Sequence, residues 1–152
     1  MAMASQTVAA VIRDRGIEDL ISVPASATVA EAVATMADRR IGAVLLMTED
    51  DLVAGIFSER DLLTRVVHAG LDPKTTPVSM VMTRDVRFVS PGTTIEAALA
   101  LRWVQRFRHL LVIDGPRVHG LVSMRDLAHH MIVHGEGRFE AAMREAGDSR
   151  AQ

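Results

Sequence analysis

The sequence contains no cysteine, which excludes disulfide bonds and thiolate metal sites. Aromatic residues make up only 3%, too few for the stacking surface that single-stranded nucleic acid requires. No apolar run approaches the roughly 20 residues of a membrane-spanning helix, and residues 1–10 lack the basic start and apolar core of a signal peptide. These absences predict a cytoplasmic protein that contacts neither membrane nor nucleic acid.

What remains is a chain of 152 residues, 49% of them hydrophobic, enough for one ordinary domain or two very small ones. The net charge of -2 does not provide the basic footprint of a nucleic-acid-binding protein. Lys74 is the only lysine among 17 basic residues. This bias agrees with genomic base composition, and also with phosphate recognition, because the planar guanidinium binds oxyanions through two hydrogen bonds.

An internal repeat organises the chain. The segment Gly55–Leu62 recurs as Gly120–Leu127 with five of eight positions identical. Upstream, Ile41–Met47 aligns with Phe107–Ile113, and the offset between these two segments is one residue larger than the offset between Gly55–Leu62 and Gly120–Leu127. The first copy therefore carries one extra residue between its two aligned segments. That residue falls in the polar segment Thr48–Asp51, and loops tolerate such insertions. The repeat therefore predicts two copies of one structural unit.

Each copy predicts the order β-α-β-β-α. In the first copy we expect an extended piece at 21–23, a helix from Thr28 with Glu31 completing a capping box, strands at 43–47 and 52–57, and a helix from Ser58 to about His68. In the second copy we expect an extended piece at 86–89, a helix at 94–105, strands at 109–113 and 117–122, and a helix from Ser123.

The predicted units follow from these elements. Residues 1–76 comprise a short amphipathic lead-in helix at 7–15 and the first repeat. Residues 77–134 comprise the second repeat, after a linker rich in proline and glycine at 70–77. Residues 135–152 form a charged tail.

The best candidates for chemistry are two Ser-x-x-Asp motifs, Ser58 with Asp61 and Ser123 with Asp126, each where a strand meets a helix. As a structural device, the serine caps the helix and the aspartate returns a hydrogen bond. As a ligand site, the helix N-terminus and the hydroxyl attract phosphate, while the carboxylate accepts two hydrogen bonds from a ribose diol. Dinucleotide-binding folds likewise place an acidic side chain at the ribose and a helix N-terminus at the phosphate. The residue types permit both interpretations.

The blocks Gly55-x-x-Ser58-x-x-Asp61 and Gly120-x-x-Ser123-x-x-Asp126 resemble the motif of tandem CBS (cystathionine-β-synthase-type) domains, also called Bateman modules. The resemblance covers roughly residues 7–134 and is closest in length to small stand-alone bacterial members. It implies an α/β fold in which two β-α-β-β-α repeats pack sheet to sheet with pseudo-twofold symmetry, preceded by a short N-terminal helix. Two clefts would lie between the repeats.

The resemblance also implies an adenosyl ligand, such as AMP, ADP, ATP, NAD(H) or S-adenosylmethionine, and no obligatory cofactor. Asp61 and Asp126 would bind ribose, and Ser58 and Ser123 would lie near phosphate. The remaining implied ligand-binding positions are Ser22, Val23, Ile41, Gly42, Ala43, Arg60, Phe88, Arg106, Arg108, His109 and Arg125. Of these, the main chain at 41–43 and 108–109 would border adenine, and the extended pieces at 22–23 and 88–89 would close each pocket.

The basic positions among these have two explanations. Arg106, Arg108 and His109 would reach phosphate or simply favour a helix end, and Arg60 and Arg125 would be secondary phosphate contacts. The first copy has Gly42-Ala43 where the second has Arg108-His109, so the two clefts are chemically unequal.

The predicted function is regulatory sensing of a nucleotide by a homodimer that signals to an unidentified target protein. The main alternative is a ligand-free dimeric scaffold in which the Ser-x-x-Asp motifs only cap helices. An enzyme is disfavoured, because no Ser-His-Asp order, phosphate-binding glycine loop or pair of acids points to catalysis.

Three histidines near the end of the second repeat suggest a metal site. His130 and His134 are four residues apart, a spacing that can chelate zinc on a helix. His129 lies beside them. Because no neighbouring carboxylate completes a zinc motif and no cysteine is available, the sequence favours a solvated helix end and no metal.

Overall fold

The two repeats form two three-stranded sheets flanked by helices in a computed structural model that describes residues 6–14, 20–105 and 108–134. The first half contains α1 (Val8–Asp14), β1 (Ser22–Pro24), α2 (Val29–Arg39), β2 (Ala43–Met47), β3 (Val53–Ser58) and α3 (Glu59–Asp61), which continues as a π-helix over Leu62–Val67. The second contains a 3-10 turn (Val78–Met80), β4 (Phe88–Val89), α4 (Ile95–Gln105), β5 (His109–Asp114), β6 (Arg117–Ser123) and α5 (Met124–His134). The predicted α/β class and β-α-β-β-α order are confirmed.

The internal repeat is visible in the strand pairing. In each sheet the first strand runs parallel to the second, and the second pairs antiparallel with the third. Ser22 pairs with Leu45 in the first sheet, and Phe88 pairs with Leu111 in the second. Both hairpins have a register shift after the fourth residue of their first strand, between Leu46 and Met47 in β2 and between Val112 and Ile113 in β5. The single length difference falls in the turns, as the sequence alignment predicts.

The two sheets face each other through a small apolar layer. Leu45, Ile56 and Leu111 are buried in this layer, and they come from strands of both repeats. The neighbours of Leu45 in β2, Val44 and Leu46, point the other way into the core of the first repeat. A strand with apolar neighbours on both faces needs no polar alternation, which explains the unbroken apolar run in β2.

The lead-in segments exchange partners between the repeats. Val8 and Val11 of α1 are 0% and 1% exposed, and they lie in the core of the second repeat. Val78 and Val81 belong to residues 78–83, the lead-in at the start of the second repeat, and lie in the core of the first. The core of each repeat is therefore completed by the lead-in of the other repeat. The predicted boundary at 76/77 separates each repeat from the lead-in that packs into its core.

Local sequence signals position the helices as expected. Thr28 and Glu31 form the predicted capping box at the start of α2. Gly55 opens the first motif because β3 passes close to the lead-in of the second repeat; a Cβ atom there would lie 2.5 Å from the carbonyl oxygen of Thr83. Among the described residues, no helix combines the length and apolarity needed to cross a membrane.

Candidate functional site

Both Ser-x-x-Asp motifs are reciprocal helix caps. The Ser58 backbone N–H donates to Asp61 Oδ2 at 3.0 Å, and the Asp61 N–H donates to Ser58 Oγ at 3.3 Å. The Ser123 N–H donates to Asp126 Oδ2 at 2.7 Å, and the Asp126 N–H donates to Ser123 Oγ at 3.1 Å. The prediction that these motifs cap helices is therefore confirmed.

Pseudo-twofold packing places each motif beside the other repeat and creates two clefts of about 280 Å³ each. The first cleft lies between the start of α5 (Ser123, Arg125 and Asp126) and residues 40–43 of the first repeat. The second cleft lies between the start of α3 and residues 86–87 and 108–109 of the second repeat. Because every cleft contains residues of both repeats, its shape depends on how the repeats are arranged.

The first cleft combines an apolar wall with a few charged groups. Four apolar side chains contribute to its lining: Leu20, Ile21, Ile41 and Leu121. Two cations, Arg40 and Arg125, and one acid, Asp126, stand at its edges. The start of α5 also lines this cleft, and α5 is a regular helix of 11 residues. A flat apolar group and an anionic group both have complementary surfaces here.

In the second cleft, the motif aspartate is buried and accepts hydrogen bonds from other side chains of the protein. Asp61 is 6% exposed. The Thr83 hydroxyl donates to Asp61 Oδ1 at 3.1 Å, with Oδ2 at 3.3 Å, and the Ser58 hydroxyl donates to Oδ2 at 3.0 Å. Arg65 Nε lies 3.6 Å from Oδ1. This carboxylate therefore joins α3 to the lead-in of the second repeat. Thr83 was missed by the sequence analysis, because it is 22 residues away from Asp61.

The second cleft is also the more highly charged of the two. Four arginines contribute to its lining: Arg60, Arg65, Arg87 and Arg108. Two of them have partners within the chain, since Arg65 Nη1 donates to the Met82 carbonyl at 2.8 Å and Arg87 pairs with Asp85 at 3.3 Å. Arg60 and Arg108 are exposed. This cleft attracts anions but offers less apolar surface than the first.

His109 lines both clefts. Burial lowers the pKa of His109 below its ordinary value; the Asp126 carboxylate acts in the opposite direction, and the Arg108 cation acts in the same direction as burial. The imidazole is therefore neutral at neutral pH and offers one hydrogen-bond donor and one acceptor. Because His109 lines both clefts, a ligand in either cleft would change the surroundings of this imidazole.

The structure brings most of the implied ligand-binding residues together and displaces three. Ser123, Arg125, Asp126, Ile41, Gly42, Ala43 and His109 line the first cleft, and Ser58, Arg60, Asp61, Arg108 and His109 line the second. Ser22 and Val23 instead line a separate groove, and Val23 is 8% exposed. Phe88 is 65% exposed on β4.

The residues just upstream of these three occupy the predicted places. Leu20 and Ile21 border the first cleft, and Val86 and Arg87 border the second. The extended pieces therefore close the clefts two residues earlier than predicted, because β1 and β4 begin after these residues and Val23 packs into the core of the first repeat. Arg106 lies outside the described residues.

The interpretation of the α5 histidines as a solvated helix end does not fit His130, which is 5% exposed. Its Nδ1 atom lies 3.3 Å from Asp14 Oδ2, and His134 Nε2 lies 2.9 Å from the same oxygen. Burial is the main cause that lowers the pKa of His130, followed by the neighbouring His134, whereas Asp14 acts to raise it. The sequence search for a carboxylate failed because Asp14 is on α1, more than 100 residues away.

Comparison with protein families agrees with the geometry. The family model described as CBS domain matches residues 10–68 and 78–133. The chain belongs to the CBS-domain family. The predicted tandem CBS module is thus confirmed, and tandem CBS proteins are regulatory modules.

Relatives cover both longer proteins and modules of similar size. A CBS domain-containing protein of Arabidopsis thaliana is 35% identical over 116 residues, which are 76% of this chain and 21% of the relative. The chain thus spans about a fifth of the length of the first curated relatives. A putative signal-transduction protein with CBS domains from Burkholderia ambifaria superposes with a TM-score of 0.80 at 34% identity, covering 86% of this chain and 97% of that one.

Two solved CBS structures contain ligands. A CBS domain protein from Pyrobaculum aerophilum, complexed with AMP, has a TM-score of 0.64 at 26% identity and covers 70% of this chain and 82% of that one. Hypoxic Response Protein I, with two coordinated zinc ions, has a TM-score of 0.62 at 26% identity and covers 76% of this chain and 96% of that one.

Proposed function

We propose that this CBS protein binds an adenosyl nucleotide in the first cleft and acts as a sensor of that nucleotide. The observation that carries the proposal is the composition of this cleft: an apolar wall, a helix N-terminus, two arginines and the Asp126 carboxylate meet in one space between the repeats. The AMP complex of the Pyrobaculum aerophilum relative supports the ligand class. AMP, ADP, ATP, NAD(H) and S-adenosylmethionine all carry the adenosyl group.

Each part of the nucleotide has a complementary group in the first cleft. The adenine ring lies against the main chain of residues 41–43. The ribose hydroxyls donate to Asp126, and such charge-assisted hydrogen bonds are strong and directional. The phosphate faces the N-terminus of α5 and the guanidinium of Arg125, with Arg40 across the cleft.

The first cleft suits the nucleoside better than the second because it has the apolar wall of Leu20, Ile21, Ile41 and Leu121 and the N-terminus of a regular helix of 11 residues. In the second cleft Asp61 accepts the hydroxyls of Ser58 and Thr83. The helix behind Asp61 has three α-helical residues before it widens into a π-helix. The exposed Arg60 and Arg108 make the second cleft a site for phosphate groups alone.

Sensing follows from the position of the cleft between the repeats. A nucleotide that contacts residues 40–43 and the start of α5 at once favours the arrangement of the repeats that binds it best. A target protein that recognises this arrangement then responds to the nucleotide concentration. The chain needs no catalytic step for this role. A cytoplasmic location and the identity of the target stay predictions.

Thermal unfolding of the purified chain with AMP, ADP, ATP, NAD, NADH and S-adenosylmethionine tests the proposal. A ligand at 100 times its dissociation constant adds about 2.7 kcal/mol to the free energy of unfolding. For a chain of this size we expect the midpoint to rise by about 5–10 °C with at least one of these ligands. No rise with any of them, in protein shown by mass spectrometry to carry no bound nucleotide, would favour the scaffold alternative.

Exposed apolar residues on the motif helices support a homodimer. Leu63 and Val67 on the helix after the first motif are both 63% exposed, and Val133 on α5 is 58% exposed. Such residues are expected to pack against a second copy. Light scattering should give twice the chain mass, and a double variant with Leu63→Glu and Val67→Glu should give the monomer mass. A wild-type chain of monomer mass at micromolar concentration would contradict the dimer.

A further inference from the structure

Three potential metal ligands converge on one face of the second repeat. Asp14 at the end of α1 meets His130 and His134, which are one turn apart on α5. Their ligand atoms, one carboxylate oxygen and two ring nitrogens, all lie within 4.8 Å of one another. The two rings are tilted by 40° with centroids 4.4 Å apart. Both nitrogens point at the same atom, Asp14 Oδ2.

The spacing fits a tetrahedral cation site. A tetrahedral zinc ion with bonds of about 2.0–2.1 Å separates its ligand atoms by about 3.3–3.4 Å. The two nitrogen–oxygen distances here are 3.3 Å for His130 and 2.9 Å for His134. Small movements of side chains would therefore admit the ion. A proton on each ring is a poorer alternative, because two imidazolium ions at this separation repel each other.

The surroundings of His130 match those of a metal ligand rather than of a surface histidine. Its Nε2 atom is hydrogen-bonded to the side-chain oxygen of Gln6, while Nδ1 faces Asp14. Histidines that bind metals commonly use one nitrogen for the metal and donate the other N–H to an oxygen, which sets the orientation of the ring. The second repeat thus holds one ring in the orientation that ligation requires.

The first repeat has a fixed cation at the equivalent place. The alignment of the motif helices sets His130 against Arg65, and the Arg65 guanidinium donates to the Met82 carbonyl of the lead-in that packs there. A positive group thus joins helix and lead-in in the first repeat. In the second repeat the same junction has two imidazoles and a carboxylate. These groups need an added cation to join the helix to the lead-in as Arg65 does in the first repeat.

We propose that Asp14, His130 and His134 bind a zinc ion that fastens the lead-in helix α1 to the second repeat. The fourth position of the ion faces a cavity of about 390 Å³, with room for water or a small anion. Arg125 and Asp126 line this cavity and also the first cleft, so the metal site adjoins the nucleotide site without sharing its three ligands.

Zinc titration of the chelator-treated protein, in competition with a coloured chelator and without nucleotide, tests the site. We expect about one zinc ion per chain and a rise in the unfolding midpoint. Asp14→Ala and His134→Ala should each lower zinc affinity by more than about tenfold, and Gln6→Ala, which frees the His130 ring, by about 10–100-fold. Cobalt(II) in place of zinc should give the visible absorption of a tetrahedral site.

Asp14 and His134 are 46% and 42% exposed in their side chains, so their replacement leaves the core intact; circular dichroism of each variant checks this. His68→Ala is the matched control, since it removes an exposed histidine at the end of the other motif helix and should leave zinc affinity unchanged. The proposal is overturned if the wild-type chain binds no stoichiometric zinc, or if the double variant of Asp14 and His134 binds it as tightly.

Discussion

Replacement of Asp126 by alanine is expected to abolish the rise in unfolding midpoint that the nucleotide causes. The substitution removes the acceptor for two ribose hydrogen bonds, each about 1.5–3 kcal/mol because one partner is charged. A loss of about 3 kcal/mol weakens binding by more than about a hundredfold. The return hydrogen bond from the Ser123 backbone N–H is lost as well, at about 1 kcal/mol. Isothermal titration calorimetry with the nucleotide found in the ligand series measures the affinity directly.

Asp114→Ala is the matched control for this substitution. Asp114 is an exposed acid at the end of β5, away from both clefts, so the variant changes the net charge by the same amount. Its nucleotide affinity should equal that of the wild type. If Asp126→Ala also keeps wild-type affinity, the ribose does not lie at Asp126 and the assignment of the first cleft is wrong.

Replacement of Asp61 by alanine is expected to act on stability instead. The buried carboxylate accepts hydrogen bonds from the Ser58 backbone, the Ser58 hydroxyl and the Thr83 hydroxyl, and it faces Arg65. Alanine leaves these donors without their acceptor, whereas the backbone N–H of residue 61 still donates to Ser58 Oγ. We expect the free energy of unfolding to fall by about 2–4 kcal/mol. Chemical denaturation followed by circular dichroism measures the change.

Thr83→Val separates the two contributions to that loss. It removes the hydroxyl that links α3 to the lead-in but leaves the Ser58–Asp61 capping box in place, so we expect a loss of about 1 kcal/mol. A fall of less than about 1 kcal/mol for Asp61→Ala would mean that the buried network stabilises little. Together with Asp126→Ala, these variants distinguish a motif that binds ligand from one that only joins structural elements.

The comparison of the two motifs shows where sequence reasoning reaches its limit. Both read Ser-x-x-Asp, and both form the predicted caps, because a capping box needs only residues three apart. In the first motif the Thr83 hydroxyl also donates to Asp61 from 22 residues away, and nothing in the tetrapeptide predicts this hydrogen bond.

The positions of the cleft walls show the same limit on a smaller scale. The extended pieces were predicted correctly as elements, but Leu20 and Ile21, rather than Ser22 and Val23, border the first cleft. The Val23 side chain packs into the core of the first repeat and therefore does not line the cleft. Which face a short strand presents depends on the sheet it joins and cannot be derived from three residues.

The sequence by itself determined the repeat, the α/β class, the order of elements and the helix caps, because these depend on periodicity and on hydrogen bonds between residues close along the chain. Only the tertiary structure decided the exchange of lead-in segments, the occupation of Asp61 and the meeting of Asp14 with His130 and His134. These contacts join residues that are far apart in sequence. They form because each lead-in packs its apolar residues into the core of the other repeat, and that arrangement is a property of both repeats together.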